Sequence, residues 1–60
     1  MYVIKAHDTD GGPLFWTRTR TWTRYRSSAK VMTFATREEA ERVSESVGRD
    51  ECVLALPVRA

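Results

Sequence analysis

One cysteine, one histidine, two prolines and three glycines in 60 residues close off several routes to stability and to chemistry. Cys52 has no partner for an internal disulfide, and His7, with no cysteine near it, cannot complete a structural zinc site. No stretch approaches the ~20 apolar residues of a membrane span, and the first residues lack the basic-then-apolar pattern of a secretory leader, so a cytoplasmic, reducing location is expected. Glycine-rich phosphate loops, CxxC pairs and supported carboxylate pairs are missing as well, so no catalytic residue, metal ligand or cofactor site is assigned. A chain this short buries only roughly 60% of its unfolded surface and has little room for a water-excluded pocket. One non-enzymatic domain spanning residues 1–60 is expected, held by packing and open to help from a homodimer partner.

Arginine is plentiful by contrast, and it is concentrated. Thr17 to Arg26 reads Thr-Arg-Thr-Arg-Thr-Trp-Thr-Arg-Tyr-Arg, which holds four of the ten cationic side chains. In an extended chain, alternation places Trp16, Arg18, Arg20, Trp22, Arg24 and Arg26 on one face and Phe15, the threonines and Tyr25 on the other. Guanidinium groups pair with phosphate or carboxylate and stack on indoles, so such a face suits an anionic partner. The formal charge of +2 conceals a division: residues 1–30 carry six cations against Asp8 and Asp10, and residues 31–60 carry four against six acids. An electrically two-sided molecule is expected, its basic side steering encounters.

Local patterning predicts a small α+β domain with a ββ(β)αβ layout, an antiparallel sheet carrying one helix on one face. Met1 to His7 is β-rich, with Tyr2, Ile4 and Ala6 on one side and Val3 on the other. Asp8-Thr-Asp-Gly-Gly-Pro13 is a turn that leads into Leu14-Phe15-Trp16, which makes a hairpin. The same Asp-Thr-Asp-Gly also resembles the start of a calcium loop, but Pro13 occupies the position needing glycine and Thr19 the one needing a bidentate glutamate. A straight strand from Leu14 to Arg26 would run about 43 Å at ~3.3 Å per residue, against about 27 Å for a 60-residue globule. The run therefore bends, near Thr19, or projects as an arm. Val31, Met32 and Phe34 suggest another short strand. Thr36-Arg-Glu-Glu39 is a capping box that opens a helix from Arg37 to about Val47, with Ala40, Val43 and Val47 inward, Glu38 and Arg42 paired, and Gly48 at the left-handed C-terminal position. Cys52, Leu54, Leu56 and Val58 alternate along a terminal strand, which predicts Cys52 to be buried as a small hydrophobe and Pro57 to mark an edge.

These residues carry a resemblance. The Tyr-Val-Ile-Lys strand, the Gly-containing turn, the Leu-Phe strand, Trp22-Thr23, Ala29, Phe34, Thr36-Arg-Glu-Glu-Ala-Glu and the closing Val-Leu-Ala-Leu-Pro-Val look like small phage and prophage proteins of unknown function that share this layout. The resemblance spans nearly the whole chain, and its motifs are structural, so it implies a fold and no catalytic residues. Its spacing implies that Trp22 is a core residue, which leaves Trp16 as the contact residue. The Arg/Thr-rich connection departs from the pattern, since similar sequences look less basic there.

Two binding readings follow. In the first, the chain is a phage-derived modulator of the anti-defence or anti-CRISPR type, docking Trp16, Arg18, Arg20, Arg24, Tyr25 and Arg26 on an acidic surface of a host protein or complex. In the second, the same face grips nucleic acid, with Trp16 and Tyr25 as stacking platforms. A homodimer that pairs sheet edges or apolar faces is compatible with both. Glu38, Glu39, Glu41 and Glu45 form the helix's wet face, with docking as the alternative, and His7 has no nucleophile beside it to serve as a base.

Overall fold

A computed structural model describes residues 1–60. β1 (Tyr2–His7), β2 (Pro13–Trp16), β3 (Trp22–Thr23) and β4 (Leu56–Arg59) form one antiparallel sheet in the order β3-β2-β1-β4, with helix α1 (Arg37–Glu51) on one face. The radius of gyration is 10.2 Å and the longest dimension 29 Å, which leaves no projecting arm. The long basic run bends instead: β2 reverses between Thr17 and Thr21 and returns as β3, so that Phe15 pairs with Thr23 and Trp16 with Trp22.

Alternation along β1 divides the interior in two. Ile4 faces the helix and packs with Trp16, Phe34, Ala40, Val47 and Ala55, joined at the margin by Tyr2, Trp22, Met32 and Val43. The helix side chains are small, and Ile4, Trp16 and Phe34 supply the bulk that they lack. Val3 faces the other way, in a smaller cluster with Phe15, Val31 and Val58. The segment before the helix makes two isolated bridges, Thr17 to Val31 and Tyr2 to Phe34, where a short strand was expected. It fills the gap left as β2 curls away from β1, and Phe34 exchanges both backbone hydrogen bonds with Tyr2 at 2.9 Å.

At the helix N-terminus the Thr36 side chain accepts from the Glu39 N–H at 3.3 Å, the forward half of the capping box. The ion pair on the outer face joins Arg37 to Glu41 at 3.0 Å, in place of the anticipated Glu38 and Arg42. The helix also continues a full turn past Val47. Cys52, not Gly48, adopts the left-handed conformation, at φ 56, and it is exposed where burial was expected. Gly48 has a different use. A Cβ there would sit 3.0 Å from the Val53 carbonyl oxygen, so its bare backbone lets the chain turn closely under the helix end, with the Val53 N–H donating to the Gly48 carbonyl at 3.1 Å.

This closure sets the phase of β4. Ala55 is buried in the main cluster while Leu54 and Leu56 are exposed, the reverse of the expected alternation. Because the side-chain period is two, a one-residue difference in where the strand begins exchanges its faces. Pro57 lies on the edge strand, as anticipated.

Two stability measurements check this packing. Phe34→Ala removes the ring that joins sheet to helix and is expected to cost about 3–5 kcal/mol in urea unfolding, enough to unfold a domain of this size. Cys52→Gly relieves a left-handed conformation that costs a residue with a Cβ roughly 1–2 kcal/mol, partly offset by greater freedom of the unfolded chain, for a net gain of about 0.5–1 kcal/mol.

Candidate functional site

The reversal at Thr17–Thr21 positions the basic residues, and threonine hydroxyls build it. Thr17 Oγ1 lies 3.0 Å from Thr19 Oγ1 and 2.7 Å from Thr21 Oγ1, Thr19 and Thr21 are 3.2 Å apart, and the Thr21 N–H donates to Thr17 Oγ1 at 3.2 Å. Backbone bonds from Thr17 N–H to the Thr21 carbonyl and from Arg20 N–H to the Thr17 carbonyl close the loop. A three-residue hairpin loop of this kind ends on a left-handed residue, and here that residue is Arg20, at φ 62. Glycine or asparagine would adopt this conformation at less cost, so the turn carries a strained, charged residue at an exposed tip.

The turn breaks up the continuous Arg/Trp face. Trp16 is 5% exposed in the main core, which corrects its assignment as a contact residue. Its indole meets that of Trp22 edge-on, with centroids 5.0 Å apart, a geometry that adds about 0.5–1.5 kcal/mol beyond burial. Trp22, the anticipated core residue, packs at the margin. The ladder assignment of Arg24 and Arg26 is corrected too. Arg24 has been carried to the far end of the sheet, where it pairs with Asp8 and lies 3.7 Å from Asp10. Arg26 lies across the face away from the helix, its guanidinium 6.0 Å from the centre of the Phe15 ring and donating to the Arg59 carbonyl. Arg18, Arg20 and Tyr25 stay exposed, and neither of those arginines takes part in an ion pair.

Arg18 and Arg20 form one lip of a cleft of about 360 Å³ between the turn and the C-terminal half of α1. Trp16, Met32, Val43 and Val47 provide its apolar lining, and Asp50 and Glu51 form the opposite lip. The Arg18 N–H donates to the Lys30 carbonyl at 2.9 Å, which brings a third cation to this end of the molecule. Sequence reading missed the acidic lip and Met32. Ending the helix at Val47 left Asp50 and Glu51 outside it, although one further helical turn places both beside the hairpin.

The β1–β2 turn holds its own charges. Asp8 accepts from the Thr9 N–H at 2.7 Å and Asp10 from the Gly12 N–H at 2.9 Å, while Gly11 takes φ 88. The Gly12 hydrogen bond and, after it, the charge of Arg24 hold the Asp10 carboxyl below its usual 3.8. Asp8 and Asp10 thus serve the turn and Arg24. No protein-family model, curated protein or solved structure matches this chain.

These environments predict different behaviour from neighbouring arginines. Arg26→Ala uncovers Phe15 and is expected to cost about 1 kcal/mol, whereas Arg18→Ala stays within about 0.5 kcal/mol of the parent in thermal unfolding. Arg20→Gly is expected to stabilise the turn by about 0.5–1 kcal/mol. Because Asp10 is depressed in the folded state, its contribution to stability is complete above its ordinary 3.8 and is lost as pH falls through the lowered folded value. Arg24→Ala is expected to move the Asp10 midpoint upward in a carboxyl NMR titration.

Proposed function

We propose that this is a small, non-enzymatic binding protein that docks on an acidic surface of a host protein or complex. It acts in the cytoplasm, in the manner of a phage-derived anti-defence or host-modulating factor. Arg18 and Arg20, at the tip of a hydroxyl-braced turn and free of intramolecular acids, are the observation that carries this reading. An unpaired guanidinium in water keeps its full capacity for a bidentate carboxylate, and a rigid turn lowers the entropy lost on docking. The cleft beside them offers an apolar lining for a partner side chain.

Several features favour a protein partner over nucleic acid. With Trp16 buried and Trp22 packed at the core margin, Tyr25, 74% exposed, is the aromatic of the run that remains open for base stacking. Asp50 and Glu51 across the cleft repel a phosphate backbone yet suit a protein surface that carries both signs.

Pull-down from host lysate with Arg18→Glu/Arg20→Glu and Arg24→Ala variants, alongside anisotropy titrations with mixed-sequence DNA and RNA, tests this reading. A specific captured protein is expected to be lost with the double reversal and retained with Arg24→Ala, while nucleic-acid binding stays weak and indifferent to either change. Tight nucleic-acid binding whose affinity falls by roughly 0.7–0.9 log unit per contact per log unit of salt, with a slope flattened by loss of Arg18 or Arg20, would establish the nucleic-acid reading instead.

A further inference from the structure

Strand β4 turns its larger side chains away from the helix. Leu54 is 78% and Leu56 53% exposed, and with Val58 they form an apolar row on the sheet face opposite α1. Lys5 pairs directly with Leu56 in the neighbouring strand, and Lys5 and His7 share that face with the row. Lys5, His7, Leu54, Leu56 and Val58 line a depression of about 380 Å³. No carboxylate lines it. Asp8 and Asp10 are engaged at the β1–β2 turn with Arg24, and Glu38, Glu41 and Glu45 of α1 border Leu56 only in a separate groove along the helix that also holds Arg37 and Arg42. An apolar row beside Lys5 is therefore left uncovered, while Val3, Phe15 and Val31 on the same face are buried.

Backbone geometry restricts what can cover it. The Ala60 N–H donates to the Met1 carbonyl, so Val58 and Leu56 also point their backbone groups toward β1, and Pro57 and Arg59 point theirs outward. Pro57 has no N–H to offer, and the Arg59 carbonyl already accepts from Arg26. The edge is a poor template for an added strand. A second copy laid face to face would set Lys5 against its own counterpart, opposing like charges across the interface.

We propose that this open face docks an amphipathic, acidic helical segment of a partner protein. Its apolar stripe covers Leu54, Leu56 and Val58, and its flanking carboxylates meet Lys5 and the ring N–H of His7. This surface lies across the sheet from the Arg18/Arg20 cleft and does not depend on the function assigned there.

The probe is a set of helical peptides with leucines at i, i+3 and i+7 beside glutamates, compared with a lysine-for-glutamate counterpart and a scrambled peptide, titrated into the isotope-labelled full chain. Saturable amide shifts confined to residues 3–7 and 53–59 are expected for the acidic peptides alone. Leu54→Ser/Leu56→Ser is expected to weaken binding at least about tenfold, because the leucine contacts supply the affinity. Lys5→Glu weakens it several-fold more at low salt than at high salt. Both leucines are exposed, so the variants keep the core, which an unchanged amide spectrum elsewhere verifies. Any of the following would overturn the proposal: no saturable binding, shifts centred on Arg18 and Arg20, equal binding of the lysine peptide, or a concentration-dependent dimer in sedimentation equilibrium that Leu54→Ser/Leu56→Ser dissolves. Binding of anionic phospholipid vesicles through the same residues, with no peptide binding, would assign the face to a membrane surface and overturn it equally.

Discussion

The hydroxyl cluster of Thr17, Thr19 and Thr21 folds the chain back within five residues, and the remaining architecture depends on that reversal. Without it β3 has no partner, Trp22 cannot reach Trp16, and Lys30 to Met32 loses the curled end of β2 against which it pairs. Thr17 itself is buried, so its hydroxyl must be satisfied within the protein, and its neighbours in the turn satisfy it. The same bond network holds the polar interior of the turn and points its two arginines outward. Structural need and exposed charge are met by alternating residues of one short sequence.

That reversal also explains why ten residues so uniform in composition end in such different surroundings. Arg18 and Arg20 stand free at the tip, Arg24 returns with β3 to the acidic turn, and Arg26 is laid over the smaller cluster on the open face. Local charge density in a sequence is therefore a poor guide to a charged surface where the chain doubles back. The electrical two-sidedness that follows is finer than a division between halves. A cleft with lips of opposite sign faces the helix side, and a cationic apolar depression faces the other.

Features set by residues close together were legible in the sequence. The Asp8 to Pro13 turn, the facing of Tyr2, Ile4 and Ala6 against Val3, the Thr36 cap and the helix-on-sheet class all follow from local chemistry or simple periodicity. Length alone showed that the run bends or projects as an arm, since a straight strand would exceed the span of the domain, and the pairing of β2 with β3 selects the bend. What escaped depended on distant packing. Gly48 reads identically whether glycine is needed for a left-handed backbone or for close approach, and only the path of Val53 beneath it distinguishes the two. Arg20 and Cys52 adopt positive φ without the residue type that advertises it. The facing of Leu54 and Leu56 depends on where the helix ends, so one unread helical turn reversed a strand and hid Asp50 and Glu51 from the site. Trp16 and Trp22 were read as dividing contact from core, whereas the turn brings them together.

The central claim is that the basic run is a closed hairpin and not a continuous ladder, and nuclear Overhauser contacts across it measure that most directly. The account predicts cross-strand contacts between Phe15 and Thr23, contact between the Trp16 and Trp22 indoles, and a coupling constant at Arg20 diagnostic of positive φ. Sequential contacts alone from Trp16 to Arg26, with both indoles free in solvent, would contradict it.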